Sequence, residues 1–176
     1  VSGAEKNGIK KNKAKEIFSL IEKFAQYGFN KSHSTAYAYV AYQTAWLKVH
    51  HTAEFMSANL TSEMNSIDRV VVLINECKKM GIEVRPPDIN VSYEDFRPID
   101  GETISYGLNA IKNVGSKALE SIIEERVKNG KYRNIFDICS RVEQQKVNKR
   151  VLESLVVSGS LDNLEGNRAQ NYDAVD

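Results

Sequence analysis

Tyr106-Gly107-Leu108-Asn109-Ala110-Ile111-Lys112-Asn113-Val114-Gly115-Ser116-Lys117-Ala118-Leu119-Glu120-Ser121-Ile122-Ile123 reads as a short helix to Lys112, a turn at Asn113-Val114-Gly115, and a longer helix from Ser116 through Arg126. Ile111, Val114, Ala118, Ile122 and Ile123 supply the apolar side of both helices. A glycine at 115 permits a positive φ and leads main-chain N–H groups to the start of the second helix, an arrangement that attracts phosphate. Lys112 and Lys117 flank the turn. Two readings stand on these residues: a grip on a phosphate backbone by Lys112, Asn113, Val114, Gly115, Ser116 and Lys117, or a plain helical hairpin in which Gly115 is a C-cap.

Upstream, Pro86-Pro87 breaks any helical pattern. Between Ser92 and Gly107, short strand-like runs surround Asp100-Gly101, a turn pair suited to a β-hairpin. Residues 1–81 are helical. Ala14, Ile17, Phe18, Ile21, Phe24 and Ala25 recur at three- and four-residue steps over 10–27, with Gly28 placed to end that helix. A second helix, about 35–50, is apolar or aromatic nearly all round, which predicts burial among other helices. Its N-cap is expected at Ser32 or Ser34. A third helix runs from Thr52 to about Met64 and a fourth from Ser66 to Gly81. Downstream of the quoted stretch, a connector helix is expected around Ile135–Cys139. A degenerate second copy of the hairpin is expected at Val151–Leu164, with its turn at Ser158-Gly159-Ser160. Asp162 and Glu165 there favour a structural role over phosphate binding.

Composition narrows the function classes. The 176 residues, 41% apolar and 27% charged, suit a folded globular chain of one or two domains. Cys77 and Cys139 lie far apart with no metal-ligand spacing, so neither a disulfide framework nor a zinc site is expected, and a reducing cytoplasm fits. No apolar run is long enough for a membrane span, and Val1-Ser2-Gly3-Ala4-Glu5 lacks a signal-peptide layout. The net charge of +1 hides two basic zones: residues 1–50 carry 8 Lys+Arg against 3 Asp+Glu, and residues 106–150 carry 10 against 5. Either zone is a nucleic-acid face or an ordinary solvated one.

The first basic zone holds Phe29-Asn30-Lys31-Ser32-His33-Ser34 at the start of a helix. Such a cluster is a place to hold a triphosphate, or else a cap.

The hairpin at 106–123 resembles helix-hairpin-helix modules. Tyr27–Ser34 together with Tyr42-Gln43-Thr44-Ala45-Trp46-Leu47-Lys48 closely resembles the family C replicative DNA polymerases, the bacterial DNA polymerase III alpha subunits. So do Pro86-Pro87-Asp88-Ile89-Asn90, Tyr106–Lys112, and Val147-Asn148-Lys149-Arg150-Val151-Leu152-Glu153, in the family's order over nearly the whole chain. The resemblance implies a mainly α piece of such a polymerase. A helical fingers segment would occupy 1–81, a small β-hairpin joint 82–105, and a tandem helix-hairpin-helix module 106–176. It implies that Lys31, Ser32 and His33 contact the incoming dNTP, and that Lys112–Lys117 bind the backbone of the primer-template duplex. Other polymerase III holoenzyme subunits would be partners through the parent chain, and a membrane would not.

Two-metal nucleotidyl transfer needs clustered carboxylates, which the family carries as an Asp-x-Asp pair plus a third Asp. No Asp-x-Asp occurs here, so Mg2+ belongs to the parent polymerase, no catalytic or metal-binding residue is assigned, and the isolated chain is expected to be inactive. The ends at Val1 and Asp176 suggest cuts through a longer chain, with looseness expected at Pro86-Pro87. The alternatives are a stand-alone helix-hairpin-helix DNA-binding or adaptor protein, which leaves Lys31 and His33 as part of a helix cap, and a helical interaction scaffold.

Overall fold

The computed structural model describes residues 2–26 and 31–175. Contacts divide the chain into two units, 1–45 and 46–176. In the first, α1 (Ser2–Lys6) precedes α2 (Lys11–Gln26), and α3 (Lys31–His50) begins there and runs on into the second unit. The expected stop at Gly28 lies outside the described residues. The periodicity of α2 is as read, yet of its apolar residues only Ala14 is buried, and Phe24 is 74% exposed. The predicted burial of the second helix is not what the structure has. No residue of α3 is buried, and Tyr37, Tyr39 and Tyr42 stand more than 60% exposed. An all-round apolar pattern states what a helix can pack against, and the described residues leave these tyrosines uncovered. The expected cap also moves: α3 starts at Lys31, so Ser32 and Ser34 lie inside its first turns.

The second unit carries two cores. In the first core, α4 (Thr52–Ser62) and α5 (Ile67–Lys79) pack Ala53, Met56, Leu60, Val70 and Cys77 against Ile82, Phe96 and Ile104 of a small sheet. Gly81, at φ +77°, ends α5 in the left-handed conformation that glycine tolerates, with Ile82 N–H bonding back to Cys77 O at 2.9 Å. The predicted hairpin is present as β2 (Arg97–Pro98) and β3 (Thr103–Ser105), antiparallel across the Asp100-Gly101 turn. Sequence reading missed β1 (Glu83–Arg85), which pairs parallel to β3 with Val84 opposite Ile104. The strand order β1-β3-β2 leaves Pro98 on an edge strand, where its missing donor is tolerated. The helices 52–79 and the sheet therefore share a core across position 81, where sequence reading placed a division.

The other core gathers Leu108, Ile111, Val114, Leu119 and Ile122 with Ile135, Ile138, Leu155 and Leu161. They come from a 3-10 turn (Leu108–Ala110), α6 (Ser116–Asn129), α7 (Ile135–Arg141) and α8 (Lys149–Val157). A short α9 (Arg168–Asp173) opens with a capping box between Asn167 and Gln170. Tyr106 packs against both cores.

The segment that follows Pro86-Pro87, where looseness is expected from the sequence, is densely bonded to the helices after it. Ile89 is fully buried and donates its N–H to Ser160 O at 2.8 Å. The Asn90 carboxamide makes two bonds to the Tyr132 backbone, each 2.8 Å. The buried Arg126 guanidinium of α6 donates to Ile89 O and Ser92 O at 2.6 and 2.8 Å. Proline stiffness and these reciprocal bonds tie the segment to the helices that follow it.

Both cysteines are free thiols; burial pushes the Cys77 thiol up to about 11. Among the described residues no helix is long and apolar enough to cross a membrane.

Candidate nucleic-acid interface

Helix α6 begins without a side-chain cap. Its N-cap is Gly115, at φ −88° and ψ 154°, an extended conformation open to any residue. The expectation that Gly115 supplies a positive φ is therefore corrected, as is its reading as a C-cap: it opens a helix. The left-handed residue of the turn is Asn113, at φ 67°, a residue type that accepts this region more readily than most. What a glycine contributes at 115 is space, since a Cβ there would meet no protein atom within 4 Å. The first main-chain bonds to Gly115 O come from Ala118 and Leu119. Among the described residues, the amides of Gly115, Ser116 and Lys117 have no acceptor, as the first turn of a helix dictates.

The six hairpin residues read from the sequence fall together in this turn. Lys112, Asn113, Gly115, Ser116 and Lys117 are exposed. Val114 is buried in the core, so only its main chain faces outward. The turn's shape is set from beneath by Leu108, Ile111, Val114, Ala118 and Leu119, with Val114 N–H bonding to Ile111 O at 3.2 Å. Sequence reading missed Gly107, where a Cβ would lie 2.7 Å from Phe96 N and 2.8 Å from the Asp95 carbonyl carbon. That close approach lets Leu108 and Asn109 donate to Tyr93 O and Glu94 O at 2.8 and 3.0 Å, holding the strand-to-hairpin entry.

The expected second copy at Val151–Leu164 is also corrected. Val147, Val151, Leu152 and Leu155 are buried 33 positions after Val114, Ala118, Leu119 and Ile122, and the N-cap Asn148 follows Gly115 by the same interval. The repeat of the hairpin is thus α7, the loop 142–148, and α8. Its chemistry differs: the Asn148 side chain accepts from Val151 N at 3.1 Å, filling the place left open at Gly115. The turn 158–160 is structural. Gly159, at φ +82°, is roofed by the Arg168–Asp162 ion pair, and Ser160 is buried with its hydroxyl donating to Leu155 O at 2.7 Å.

Lys31, Ser32 and His33 lie together, exposed, in the first turn of α3. The His33 ring leans on Tyr37 with centroids 4.2 Å apart, and Thr35 Oγ1 donates to Lys31 O at 2.8 Å. They belong to the unit 1–45, and the hairpin belongs to 46–176. Phe29 and Asn30 of the same motif lie outside the described residues. Among the described residues no group of His, Cys, Asp and Glu is gathered as a metal site.

Residues 81–171, just over half of the chain, match the family described as a helix-hairpin-helix motif. The chain belongs to the helix-hairpin-helix motif family. The helix-hairpin-helix match opens before β1 and extends into α9, so the small sheet and the clamped Pro86–Asn90 segment lie within it. Across nearly its full length the chain is similar to DNA polymerase III subunit alpha of Vibrio cholerae, 52% identical over 99% of this chain. The subunit of Escherichia coli K12 is 53% identical over 95%, and that of Buchnera aphidicola subsp. Schizaphis graminum 47% over 98%. The chain spans about 15% of the length of these relatives. The likeness covers the residues before the helix-hairpin-helix region as well, which bears out the resemblance to the alpha-subunit family and the mainly α class.

Proposed function

We propose that the chain is the part of a bacterial replicative DNA polymerase that holds the primer-template duplex by its backbone, with the hairpin 111–117 as the grip. The observation that carries this reading is the uncapped start of α6. Among the described residues the amides of Gly115, Ser116 and Lys117 have no acceptor, a Cβ at Gly115 would meet open space, and Lys112 and Lys117 flank the turn. Such a site takes a phosphate oxygen at the positive end of the helix and reads no base, so binding follows the backbone and weakens with salt. The α7–α8 hairpin, with its own side chain in the equivalent place, serves mainly to complete the core. The reading of a stand-alone adaptor is set aside, because identity to the alpha subunits extends through residues that such a protein would not need.

The finer assignments follow from the same resemblance. Lys31, Ser32 and His33 contact the triphosphate of the incoming dNTP, with Lys31 offsetting charge on the leaving pyrophosphate. The parent enzyme is a DNA-directed nucleotidyltransferase of the cytoplasm, acting with other polymerase III holoenzyme subunits. Mg2+ supplies the two-metal chemistry there. The chain carries no Asp-x-Asp, and in this reading it positions DNA and nucleotide while the metal-holding carboxylates come from the rest of the parent enzyme. In the full-length polymerase, Lys31→Ala is expected to lower single-nucleotide incorporation by tenfold or more; an unchanged rate would sink that assignment.

The grip is tested by fluorescence anisotropy of a labelled duplex with this chain at several salt concentrations. Binding is expected to be weak and independent of sequence. Lys117→Ala is expected to reduce the slope of log K against log salt by about 1, and Gly115→Pro, which deletes one donor and fills the space, to abolish binding. No binding by the unmodified chain at low salt would refute the reading.

A further inference from the structure

We infer that the turn between α4 and α5 forms a second wall of the duplex site, on which the sugar face of the gripped strand packs. This rests on the proposal that the hairpin 111–117 takes a phosphate. A groove of about 690 Å³ runs beside the hairpin, lined by Met64, Asn65 and Ile67 on one side and by Lys112, Asn113 and Gly115 on the other. Among the described residues no carboxylate lines it. Glu63, just before the turn, is engaged with Arg69 at 3.8 Å, and Asp68, on the far side of Ile67, is exposed but outside the groove.

The two walls differ in a way that suits one kind of occupant. The hairpin wall offers the open Gly115 amide, at the edge of the α6 start, and the Lys112 cation. The opposite wall offers Ile67, 61% exposed, with the half-buried Met64 and the exposed carboxamide of Asn65. A nucleic-acid backbone alternates charged phosphates with largely apolar sugar faces, so a phosphate at the start of α6 brings the adjoining deoxyribose toward the apolar wall. An acidic peptide would satisfy the amides as well, but it would leave Ile67 unmatched unless an apolar residue happened to follow.

Salt dependence separates an apolar contact from an ionic one. Phosphate contacts release counterions, whereas packing of Ile67 on a sugar releases none. In anisotropy titrations with the 176-residue chain, Ile67→Ala is expected to weaken duplex binding about five- to tenfold, in line with burial of most of an aliphatic side chain. The slope of log K against log salt stays as in the unmodified chain, in contrast to Lys117→Ala. Phe136→Ala removes a comparably exposed apolar side chain from α7, outside the groove lining, and leaves affinity within twofold. Circular dichroism of each variant confirms an unchanged fold, as expected at exposed positions. Binding by the unmodified chain with Ile67→Ala and Asn65→Ala both within twofold of it overturns the second wall and leaves the hairpin grip standing. Loss of slope in Ile67→Ala also overturns it, and absence of binding by the unmodified chain overturns both.

Discussion

Two glycines eight residues apart do different work. Gly107 has an ordinary φ of −82° but no room for a side chain: the backbone of Asp95 and Phe96 stands where a Cβ would go. Backbone cannot swing aside as a long side chain does, so Gly107→Ala is expected to cost about 2–4 kcal/mol. Gly115 faces open space, and there alanine meets no protein atom. Gly115→Ala is expected to change stability by less than about 1 kcal/mol, while its methyl group would stand where the proposed grip takes a phosphate oxygen, and it is expected to weaken duplex binding. Urea denaturation of the two variants checks the pair: equal midpoints would contradict the assignment of Gly107 to packing and Gly115 to ligand access. The left-handed residue that shapes the turn is neither of them but Asn113.

Between elements, polar clamps decide how the helices of the second core are held. Arg141 of α7 bonds Glu125 of α6 at 3.1 Å and Gly130 O at 2.8 Å, and its guanidinium lies 4.5 Å from the centre of the Tyr132 ring. Tyr132 in turn donates its hydroxyl to Ile122 O at 2.8 Å, and burial pushes its phenol up to about 12. Arg126 is the link to the segment before the hairpin. Its charge meets carbonyl oxygens of Ile89 and Ser92 and the face of Tyr93. Arg126→Met relieves the cost of burying a cation but leaves two buried carbonyls without their donor. Each carbonyl costs about 1–3 kcal/mol unpaired, so the variant is expected to be destabilised by about 2–4 kcal/mol, measured as a lower urea midpoint. A midpoint at or above that of the unmodified chain would show that the cation's burial dominates instead.

At the scale of the whole molecule, stability is unevenly spread. Residues 46–176 contain two apolar cores that share Tyr106, whereas among the described residues of 1–45 only Ala14 is buried. Local opening is easiest where few apolar groups are buried. Amides of α2 and of the first half of α3 are expected to exchange hydrogen at least a hundredfold faster than those of the middle of α6. Exchange followed by mass spectrometry checks this, and equal protection would mean that the exposed aromatic face of α3 is covered in solution. The Pro86–Asn90 segment is expected to exchange with the second core, because its bonds run to Ser160, Tyr132 and Arg126.

Local patterns determined much of this molecule from the sequence alone. The three- and four-residue spacing of apolar side chains located α2, α5 and α6, start signals at Thr52 located α4, Asp100-Gly101 located the β2–β3 turn, and the alternation of turn and helix located Lys112–Lys117. These features are legible because neighbouring residues create them. Tertiary structure alone decided the rest. β1 has no mark of its own until β3 pairs with it. Gly107 looks like any turn glycine until Asp95 and Phe96 fold back on it. The second hairpin lay at 142–148, away from the Ser-Gly-Ser turn that drew attention, because its register appears only when both helices bury the same positions. The aromatic wealth of α3 indicated an ability to be buried, and whether a partner surface is present is a property of distant residues that no local spacing encodes.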